Sequence, residues 1–410
     1  MKPGPVLFVA YGSGHISKVA PVIRHLRARG VPCELLALTV GHGQAQRLGL
    51  APLGYRDFLH LSNAAAALAW GSKLLQENQH PDVDEHESRC YLGVNYQEWV
   101  ESYGEDGARA RYHQGGRRAF FPVTFMGRIL DHLVPSVVVS TASPRSEQAA
   151  IEAAAARGVP SLTMVDLFAM PNESFLRNKV FADRLTVLSP FVRSNLVAGG
   201  IPVARVAVTG CPAYESLFET TQREAGLAFR TLLGWQNFKV VLWAGNLEED
   251  ANASPRYAGT ALALDVERRL RDWVASRSDV ALIVRYHPAQ YHLMPDLGPQ
   301  SRVHRSVPTQ DPLGTQLHAS DIVVVQASTV GFEAALIGKR VLSLSYSPMV
   351  IQMAFDYGSM GLGESIQQPE DLLSIVESER PVAIDRSLFP PPGKASPRVG
   401  AEILALRDRV

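Results

Sequence analysis

Cysteine is the rarest residue of this 410-residue chain, which contains only Cys33, Cys90 and Cys211. Their number is odd, they lie far apart in the sequence, and no Cys-x-x-Cys pair occurs. We therefore expect neither a disulfide framework nor a cysteine-ligated zinc site, and a reducing cytoplasm is the natural compartment.

Long apolar runs and an excess of one charge are also missing. No run approaches the roughly 20 apolar residues that span a bilayer, and the opening MKPGPVLFVAYG reads as a strand rather than a signal peptide. Lysine and arginine number 40 together, as do aspartate and glutamate, which argues against a nucleic-acid partner. We expect a soluble cytoplasmic protein with at most peripheral contact to the inner face of a membrane. No prediction of oligomeric state follows.

Short apolar segments alternating with longer amphipathic ones are what the chain has in plenty. The first half has VLFVAY, CELLAL, SVVVST, SLTMVD, RLTVLS and RVAVTG; the second has KVVLWAGN, ALIVRYHP, RVHRSV, DIVVVQAS and RVLSLSY. β-rich runs separated by helical ones indicate parallel sheets covered by helices on both faces. The sequence therefore predicts an α/β protein of two Rossmann-like, doubly wound domains.

The domain boundaries follow from where this alternation pauses. We place the N-terminal domain at residues 1–215 and the C-terminal domain at residues 235–380. Residues 381–410 are predicted as a tail, for which packing back on the N-terminal domain is one placement. An insertion around residues 55–120 interrupts the alternation, and it is either a stabilising helical excursion or a surface that recognises substrate.

A glycine-rich turn follows the first predicted strand. Gly12, Ser13, Gly14 and His15 precede a helix-like run, so the backbone N–H groups of this turn are predicted to form a phosphate or ligand loop. The pattern is not a dinucleotide fingerprint, because Ser17 stands where the third glycine belongs. His15 is either ordinary loop chemistry or a reactive base. Its place at the end of the first strand favours the second interpretation, because ligands of open α/β sheets bind there.

A second turn of this kind follows DIVVVQ in the second half. Ser328 or Thr329 is predicted to cap the helix that comes next, with the hydroxyls directed at a phosphate. Gly331 permits a close approach of the backbone. Glu333 is either a favourable first-turn acid or an acceptor of hydrogen bonds from ribose hydroxyls.

Two further strand ends of the second half carry polar or small residues. Arg285, His287 and Pro288 are predicted to lie just past a buried strand, where either of the two basic side chains would neutralise a leaving phosphate. Gly245 and Asn246 end the preceding strand, and the glycine would make room for a nucleotide. All of these residues are expected at one edge of one sheet.

Together these segments resemble the GT-B glycosyltransferases, whose two Rossmann-like domains face each other across the active-site cleft. The resemblance is carried by GSGHISKVAPVIRHL, ADRLTVLSPFVRSNLVAGGIPVARVAVTGCPAYESL and ASDIVVVQASTVGFEAALIGKRVLSL. These cover most of the chain at fold level and match each motif in part. RYHP resembles the His-Pro pair that contacts the nucleotide phosphate in members with CMP- or CDP-linked donors, which implies that role for His287.

The resemblance implies transfer of a sugar from a UDP- or CMP/CDP-linked donor to a glycan or lipid-linked acceptor, in bacterial envelope or surface polysaccharide synthesis. It implies an inverting reaction without cofactor or bound metal. An acceptor hydroxyl attacks the anomeric carbon, and a base takes its proton. His15 fits that base by type; Asp166, at the end of SLTMVD, is the second candidate and Glu147 a further one.

The stretch DVDEHE contains a DxD triplet but follows no clear strand, so we interpret it as a solvated face.

Two alternatives to a glycosyltransferase stay open. One is a sugar-nucleotide epimerase or hydrolase, because non-hydrolysing UDP-GlcNAc 2-epimerases have the same fold and a similar His-Pro; their opening GTRPE-type motif is absent here. The other is a non-catalytic protein that binds a nucleotide sugar. In the insertion, the clustered arginines of RARYHQGGRRAF either face an anionic acceptor, such as a lipid-linked or acidic glycan, or form a solvated helix face; they are Arg109, Arg111, Arg117 and Arg118.

Overall fold

The computed structural model describes residues 4–248, 256–378, 385–391 and 393–409. The chain divides into two compact units. The first comprises Met1–Ala169, Glu173–Ala213 and Pro390–Val410, and the second comprises Met170–Asn172 and Tyr214–Phe389. Residues 379–384, 392 and 410, at or near the predicted tail, lie outside the described part.

The first unit is built on a six-stranded parallel sheet in the order β2-β1-β3-β4-β5-β6. Its strands are β1 Val6–Tyr11, β2 Cys33–Leu38, β3 Val137–Thr141, β4 Ser161–Val165, β5 Arg184–Val187 and β6 Val206–Val208. Nearly all residues of these strands are buried, because helices cover both faces of the sheet. This explains why the strands read as continuous apolar runs rather than as alternating ones.

The helices of the first unit surround that sheet. They are α1 Ser13–Ala28, α2 Val40–Arg47, α3 Ala64–Leu75, α4 Glu85–Gly115, α5 Val123–Leu133, α6 Ser146–Arg157 and α7 Pro190–Ala198, with α14 Ala395–Arg407 from the end of the chain. In α14, Val399, Ile403 and Leu406 are buried in the same core as Val6 and Phe8 of β1. The last helix is thus an integral layer of the first unit.

The second unit repeats the plan with a six-stranded parallel sheet in the order β12-β11-β10-β7-β8-β9. Its strands are β7 Lys239–Gly245, β8 Val280–Tyr286, β9 Val303–Arg305, β10 Ile322–Val325, β11 Arg340–Leu344 and β12 Glu364–Ile366. Its helices are α8 Thr220–Leu232, α9 Ala261–Ser276, α10 Leu313–Ala319, α11 Val330–Leu336, α12 Pro348–Met353 and α13 Leu372–Glu377. The two parallel sheets with their helices confirm the predicted α/β class.

The predicted insertion forms a helical layer of α3 and α4. A Cβ atom on Gly93 of α4 would come within 1.8 Å of the Ala67 carbonyl oxygen of α3, so only glycine allows the two helices to pack this closely. The interpretation of DVDEHE as a solvated face is wrong for its last residue. Glu87 is only 2% exposed, and its carboxylate accepts the N–H groups of Tyr55 and Arg56 at 2.7 and 3.1 Å.

None of the helices in the described residues is both long enough and apolar enough to span a bilayer.

Candidate functional site

Each sheet has one point at which the order of its strands reverses, and ligands of open α/β sheets bind outside the carboxyl ends of the strands there. In the first unit the reversal lies between β1, which pairs with β2 on one side, and β3 on the other. His15 lies in the first turn of α1, directly after β1, and Thr141 is the last residue of β3. The fold thus brings these two side chains to the expected binding point of this sheet.

A chain of hydrogen bonds orients the His15 ring. Nδ1 of His15 is bonded to Oγ1 of Thr141, and that hydroxyl donates to Oε1 of Glu147 at 3.5 Å. Because the threonine hydrogen is given to the carboxylate, Nδ1 must donate its own hydrogen to Thr141. The other ring nitrogen, Nε2, then carries the lone pair, and it forms no hydrogen bond within the described part of the chain. This is the tautomer that a general base requires.

Glu147 reaches this site from the first turn of α6. Its side chain is fully buried, and Oε1 also accepts the backbone N–H of Tyr11 at 2.6 Å. Burial raises the pKa of Glu147 to about 7, although the Tyr11 N–H stabilises the ionised form. The second oxygen, Oε2, is buried and has no hydrogen-bond partner among the described residues. Glu147 therefore changes charge near neutral pH.

Asp166, after β4, completes the cluster, and its pKa is shifted in the opposite direction to that of Glu147. Lys18 bonds to its Oδ2, and Nδ1 of His15 is 4.0 Å from the same oxygen. Burial opposes ionisation of Asp166, but the charges of Lys18 and His15 hold its pKa below the usual value. The pKa of His15 is itself lowered, chiefly by burial and against the attraction of Asp166. Near neutral pH the cluster therefore combines a neutral imidazole, an ionised aspartate and a glutamate close to its pKa.

The glycine turn before His15 has a specific backbone role at one position. Gly12 has φ 87° and ψ 160°, a conformation that residues with a side chain rarely adopt. Gly14 has open space around it, so a Cβ atom there would meet nothing within 4 Å. The helix begins at Ser13, three residues earlier than the sequence indicated, and the Ser13 side chain lies outside the described part of the structure.

In the second unit the strand order reverses between β10 and β7. The backbone N–H of Asn246, just past β7, donates to Oε1 of Gln326, just past β10, at 2.7 Å. Nε2 of Gln326 donates to Oε1 of Glu248 at 2.5 Å. Glu248 is 3% exposed and also accepts the Ser347 hydroxyl at 2.5 Å and the Met349 N–H at 2.8 Å. This buried glutamate therefore ties the ends of β7 and β10 to the start of α12.

His287 lies where the sequence predicted it, on the turn after β8. Its side chain is exposed, as is Pro288 beside it. The Ala289 N–H donates to Nδ1 of His287 at 3.2 Å. Nδ1 is thus an acceptor, and the neutral ring carries its hydrogen on Nε2, which suits it to donate to a phosphate oxygen.

The turn after β10 is held by a tyrosine that the sequence analysis did not consider. Tyr357 donates its hydroxyl hydrogen to the Ser328 carbonyl at 2.6 Å and accepts the Phe332 N–H at 2.9 Å. A Cβ atom on Gly331 would lie 2.6 Å from this ring, so the close approach of Tyr357 already requires glycine here. Ser328 Oγ accepts the Val330 N–H at 3.4 Å, whereas Thr329 makes no cap through its side chain.

Two other residues that were predicted to bind the donor contact other groups of the protein instead. Arg285 lies inside β8 rather than past it and is buried; its Nη1 donates to Ser306 Oγ, Asp311 O and Gln316 Oε1 at 2.8–3.0 Å. The predicted position was wrong because the strand continues through Tyr286. At Gly245 a Cβ atom would meet the Tyr286 and Trp243 rings at 2.8–3.0 Å, so packing of these rings occupies the space assigned to a nucleotide.

The structure brings two sets of predicted residues together, one in each unit. In the first unit these are His15, Glu147 and Asp166; in the second, Asn246, His287, Ser328, Thr329 and Glu333 follow three adjacent strands, β7, β8 and β10. Sequence reasoning missed Thr141, Lys18, Gln326 and Glu248. For Thr141 the signal was present, since a hydroxyl residue ends the strand SVVVST.

Within the described residues no group of three or more His, Cys, Asp or Glu side chains is arranged to hold a metal ion.

No protein-family model and no curated protein matches the sequence. Solved structures do match. The UDP-GlcNAc 2-epimerase from Neisseria meningitidis, bound to UDP-GlcNAc, is 14% identical with a TM-score of 0.59, over 98% of this chain and 100% of that chain. The UDP-GlcNAc 2-epimerase from Methanocaldococcus jannaschii is 12% identical with a TM-score of 0.59, over 98% and 99%. A variant of the wall teichoic acid polymerase TagF is 12% identical with a TM-score of 0.54, over 100% and 90%.

At these identities the likeness shows the fold alone. That fold is GT-B, and the two Rossmann-like sheets of this chain correspond to it. The predicted fold relationship is thereby confirmed. The matching proteins are enzymes of this fold, and they include both epimerases and a polymerase.

Proposed function

We propose that this protein is a glycosyltransferase that moves a sugar from a nucleotide-sugar donor to a hydroxyl of an acceptor. The observation that carries the proposal is the His15–Thr141–Glu147 hydrogen-bond chain at the strand-order reversal of the first sheet. It holds a neutral imidazole with a lone pair on Nε2, which can take the proton of an acceptor hydroxyl. Asp166 is ion-paired with Lys18 and has a lowered pKa, so it is the weaker base and better suited to stabilise His15 when it becomes charged.

The nucleotide of the donor is proposed to bind the second unit at the ends of β7, β8 and β10. Nε2–H of His287 would donate to a phosphate oxygen, and the hydroxyls of Ser328 and Thr329 would add donors. Glu333, half-buried one turn into α11, would accept from the ribose. Neither a cofactor nor a metal is part of this proposal, in which His287 and the hydroxyls of Ser328 and Thr329 meet the charge of the leaving phosphate. A uridine or cytidine nucleotide, inversion at the anomeric carbon and a role in envelope polysaccharide synthesis belong to the same proposal.

A second candidate is an epimerase, and a specific observation favours it. Glu147 has a pKa raised to about 7 while Asp166 stays ionised, so the cluster holds one carboxyl that can carry a proton and one that can accept it. Because Glu147 is fully buried, it would exchange its proton with substrate through Thr141 and His15. Moving a hydrogen from one face of a sugar carbon to the other needs such a pair. Two of the matching structures, from N. meningitidis and M. jannaschii, are UDP-GlcNAc 2-epimerases.

One experiment separates the candidates. The purified protein is incubated in D₂O with UDP-, CMP- and CDP-linked sugars, with and without a pool of lipid-linked and soluble glycan acceptors, and followed by NMR. Release of free nucleotide only when acceptor is present supports the transferase. Deuterium entering the sugar of the donor without acceptor would instead establish the epimerase, and an intact donor under every condition would indicate a binding protein.

The matched control is a His15→Ala variant. It removes the proposed base and leaves the second unit unchanged, so it should bind nucleotide like the wild type. Loss of turnover with retained binding attributes the reaction to the first-unit cluster.

A further inference from the structure

A cavity of about 320 Å³ lies in the first unit beside the carboxyl ends of β1 and β2. Tyr11, the last residue of β1, and Thr39, the residue after β2, contribute to its wall. Three arginines also line it: Arg117 and Arg118 from the turn after α4, and Arg145 from the loop before α6. The volume is at the lower end of those that hold small ligands.

The three arginines of this cavity outnumber its one carboxylate, Glu87. None of Arg117, Arg118 and Arg145 forms an ion pair within the part of the chain that the structure describes. The one carboxylate in the wall, Glu87, already accepts two backbone N–H groups. Three guanidinium groups around one small space are expected to attract an anion, and guanidinium matches the geometry of phosphate oxygens.

A buried hydroxyl in the wall lacks a hydrogen bond of good geometry. Tyr91 lines the cavity and is 3% exposed, and its Oη approaches only the hydroxyl of Tyr11, which lines the same wall. A buried polar group that is poorly hydrogen-bonded costs free energy, and protein interiors contain few of them. An anion in the cavity would offer Tyr91 a charged acceptor in place of the Tyr11 hydroxyl.

The backbone of the wall is strained at one residue. Thr39 has φ 54° and ψ −134°, which is an unfavourable conformation for a β-branched residue. Such strain persists where the surrounding structure enforces it, and it is found preferentially at ligand sites. Here the Gly12 N–H donates to the Leu38 carbonyl at 3.3 Å, and the His42 N–H donates to the Thr39 carbonyl at 3.1 Å.

We propose that this cavity binds a phosphate group carried by the acceptor and thereby positions an acceptor hydroxyl for His15. The cavity and the His15 cluster share two elements. Tyr11 lines the cavity while its N–H donates to Glu147, and Arg145 directly precedes α6, which carries Glu147. The positioning role rests on the proposed glycosyltransferase; the anion site itself does not.

The other two arginines of the insertion are not part of this site. Arg109 pairs with the exposed Asp106 at 3.8 Å, and the Arg111 guanidinium lies 3.8 Å from the centre of the Tyr103 ring. The structure thus divides the four-arginine cluster of the sequence into two that line the cavity and two that do not.

Calorimetric titration with inorganic phosphate and with glycerol phosphate tests the site without requiring catalysis. The R117Q/R118Q double variant and Arg145→Gln should each weaken binding roughly tenfold or more, and the loss should shrink as salt screens the charges. An R29Q/R193Q variant removes two exposed charges of the same unit outside the cavity and should bind like wild type. Equal weakening in that control would mean that only net charge matters and would overturn the proposal.

Tyr91→Phe is the sharper test, because it removes one oxygen atom. If the hydroxyl donates a hydrogen bond to the bound anion, the variant loses affinity for phosphate while its stability without ligand is unchanged or higher. A stability loss with unchanged phosphate affinity would show that the hydroxyl serves the fold, and the proposal would fail.

The phosphate could belong to a lipid headgroup or to a soluble glycan or polyol phosphate. Phosphatidylcholine vesicles with and without phosphatidic acid are therefore compared with glycerol phosphate. Binding to either probe that is lost in R117Q/R118Q supports the site and identifies the source; binding to neither overturns it. Phosphate binding without any sugar transfer would refute the proposed function alone, whereas transfer to neutral and phosphorylated acceptors at equal rates would refute the positioning role alone.

Discussion

At the scale of single residues, His15 could be predicted as a site residue from the sequence, and its hydrogen-bond partner Thr141 could not. His15 could be singled out because a histidine on a glycine turn after the first strand is unusual. Its partner could not, because Thr141 is 126 positions away and only the pairing of β1 with β3 makes them neighbours. The tautomer of the ring depends on that partner, so the sequence predicted a base without the means to orient it.

His15→Ala should lower kcat by about 10²–10⁴-fold, the usual contribution of a positioned acid–base group. Nucleotide affinity should stay the same, because the proposed donor residues lie in the second unit. Because burial lowers the pKa of His15, the acidic limb of the pH–rate profile should lie below pH 6.5, and it should disappear in the variant. Steady-state kinetics across pH 5–9 measure this. Near-normal turnover would assign the base to another residue, with Asp166 next to be tested.

Thr141 provides the matched control for orientation. Thr141→Val keeps the shape but removes the acceptor for Nδ1–H, so kcat should fall by about tenfold with KM unchanged, whereas Thr141→Ser should restore it. Equal kinetics of the two variants would show that the hydroxyl does not orient the ring.

Glu147 gives a prediction for stability against pH. A carboxyl whose pKa is about 7 in the folded protein and 4.5 when unfolded takes up a proton on folding, so stability falls as pH rises from about 4.5 through 7. Glu147→Gln keeps an oxygen for the Tyr11 N–H but removes the titration. Urea denaturation at pH 5 and pH 8 should therefore show a smaller loss in the variant than in the wild type, by about 1–3 kcal/mol. A loss as large as that of the wild type would mean that Glu147 is ionised throughout.

The same measurement can be made on Glu87, since burial raises its pKa to about 7 as well. Glu87→Gln should flatten the same pH range independently. The two effects should add in the double variant, because the two carboxyls share no hydrogen-bond partner among the residues that the structure describes.

At the scale of helices and strands, prediction depended on a recognisable apolar run. Runs such as DIVVVQAS were recognisable as buried strands, whereas β12, Glu364–Ile366, was missed because its three residues include only one apolar side chain. Turn glycines were recognised but their purpose was not. Gly331 and Gly245 give space to the Tyr357, Tyr286 and Trp243 rings, and these neighbours come from positions that no local pattern connects.

The turn between β10 and α11 can be tested for nucleotide binding without disturbing the helix. Thr329 is exposed and does not cap α11 through its side chain, so Thr329→Ala should leave stability unchanged while lowering nucleotide affinity several-fold. Ser328→Ala in addition removes the oxygen that accepts the Val330 N–H and should lower affinity further. Isothermal titration measures both, and Thr329→Ser should bind like wild type. Unchanged affinity in a folded double variant would place the nucleotide elsewhere.

At the scale of the whole molecule, the two units have separate cores built from different strands. The repeated alternation of strands and helices made two Rossmann-like domains predictable. The place of the last helix was harder to predict, because α14 joins the first core from the far end of the chain. Its apolar spacing shows that it is buried but not which of two sheets it covers.

Because the two cores are separate, a ligand that binds one unit should stabilise that unit, and hydrogen exchange can show which unit it is. A nucleotide at 100 times its Kd should add about 2.7 kcal/mol to the stability of the unit that binds it. We expect hydrogen exchange with UDP, CMP, CDP and GDP to show slower exchange in peptides that cover β7, β8 and β10, and a uridine or cytidine nucleotide to act at the lowest concentration. Peptides covering Gly12–His15 should be unaffected by nucleotide alone. Protection of that turn instead would mean that it binds the nucleotide phosphate, because a glycine turn before a helix can also hold that group, and the roles proposed for the two units would be exchanged.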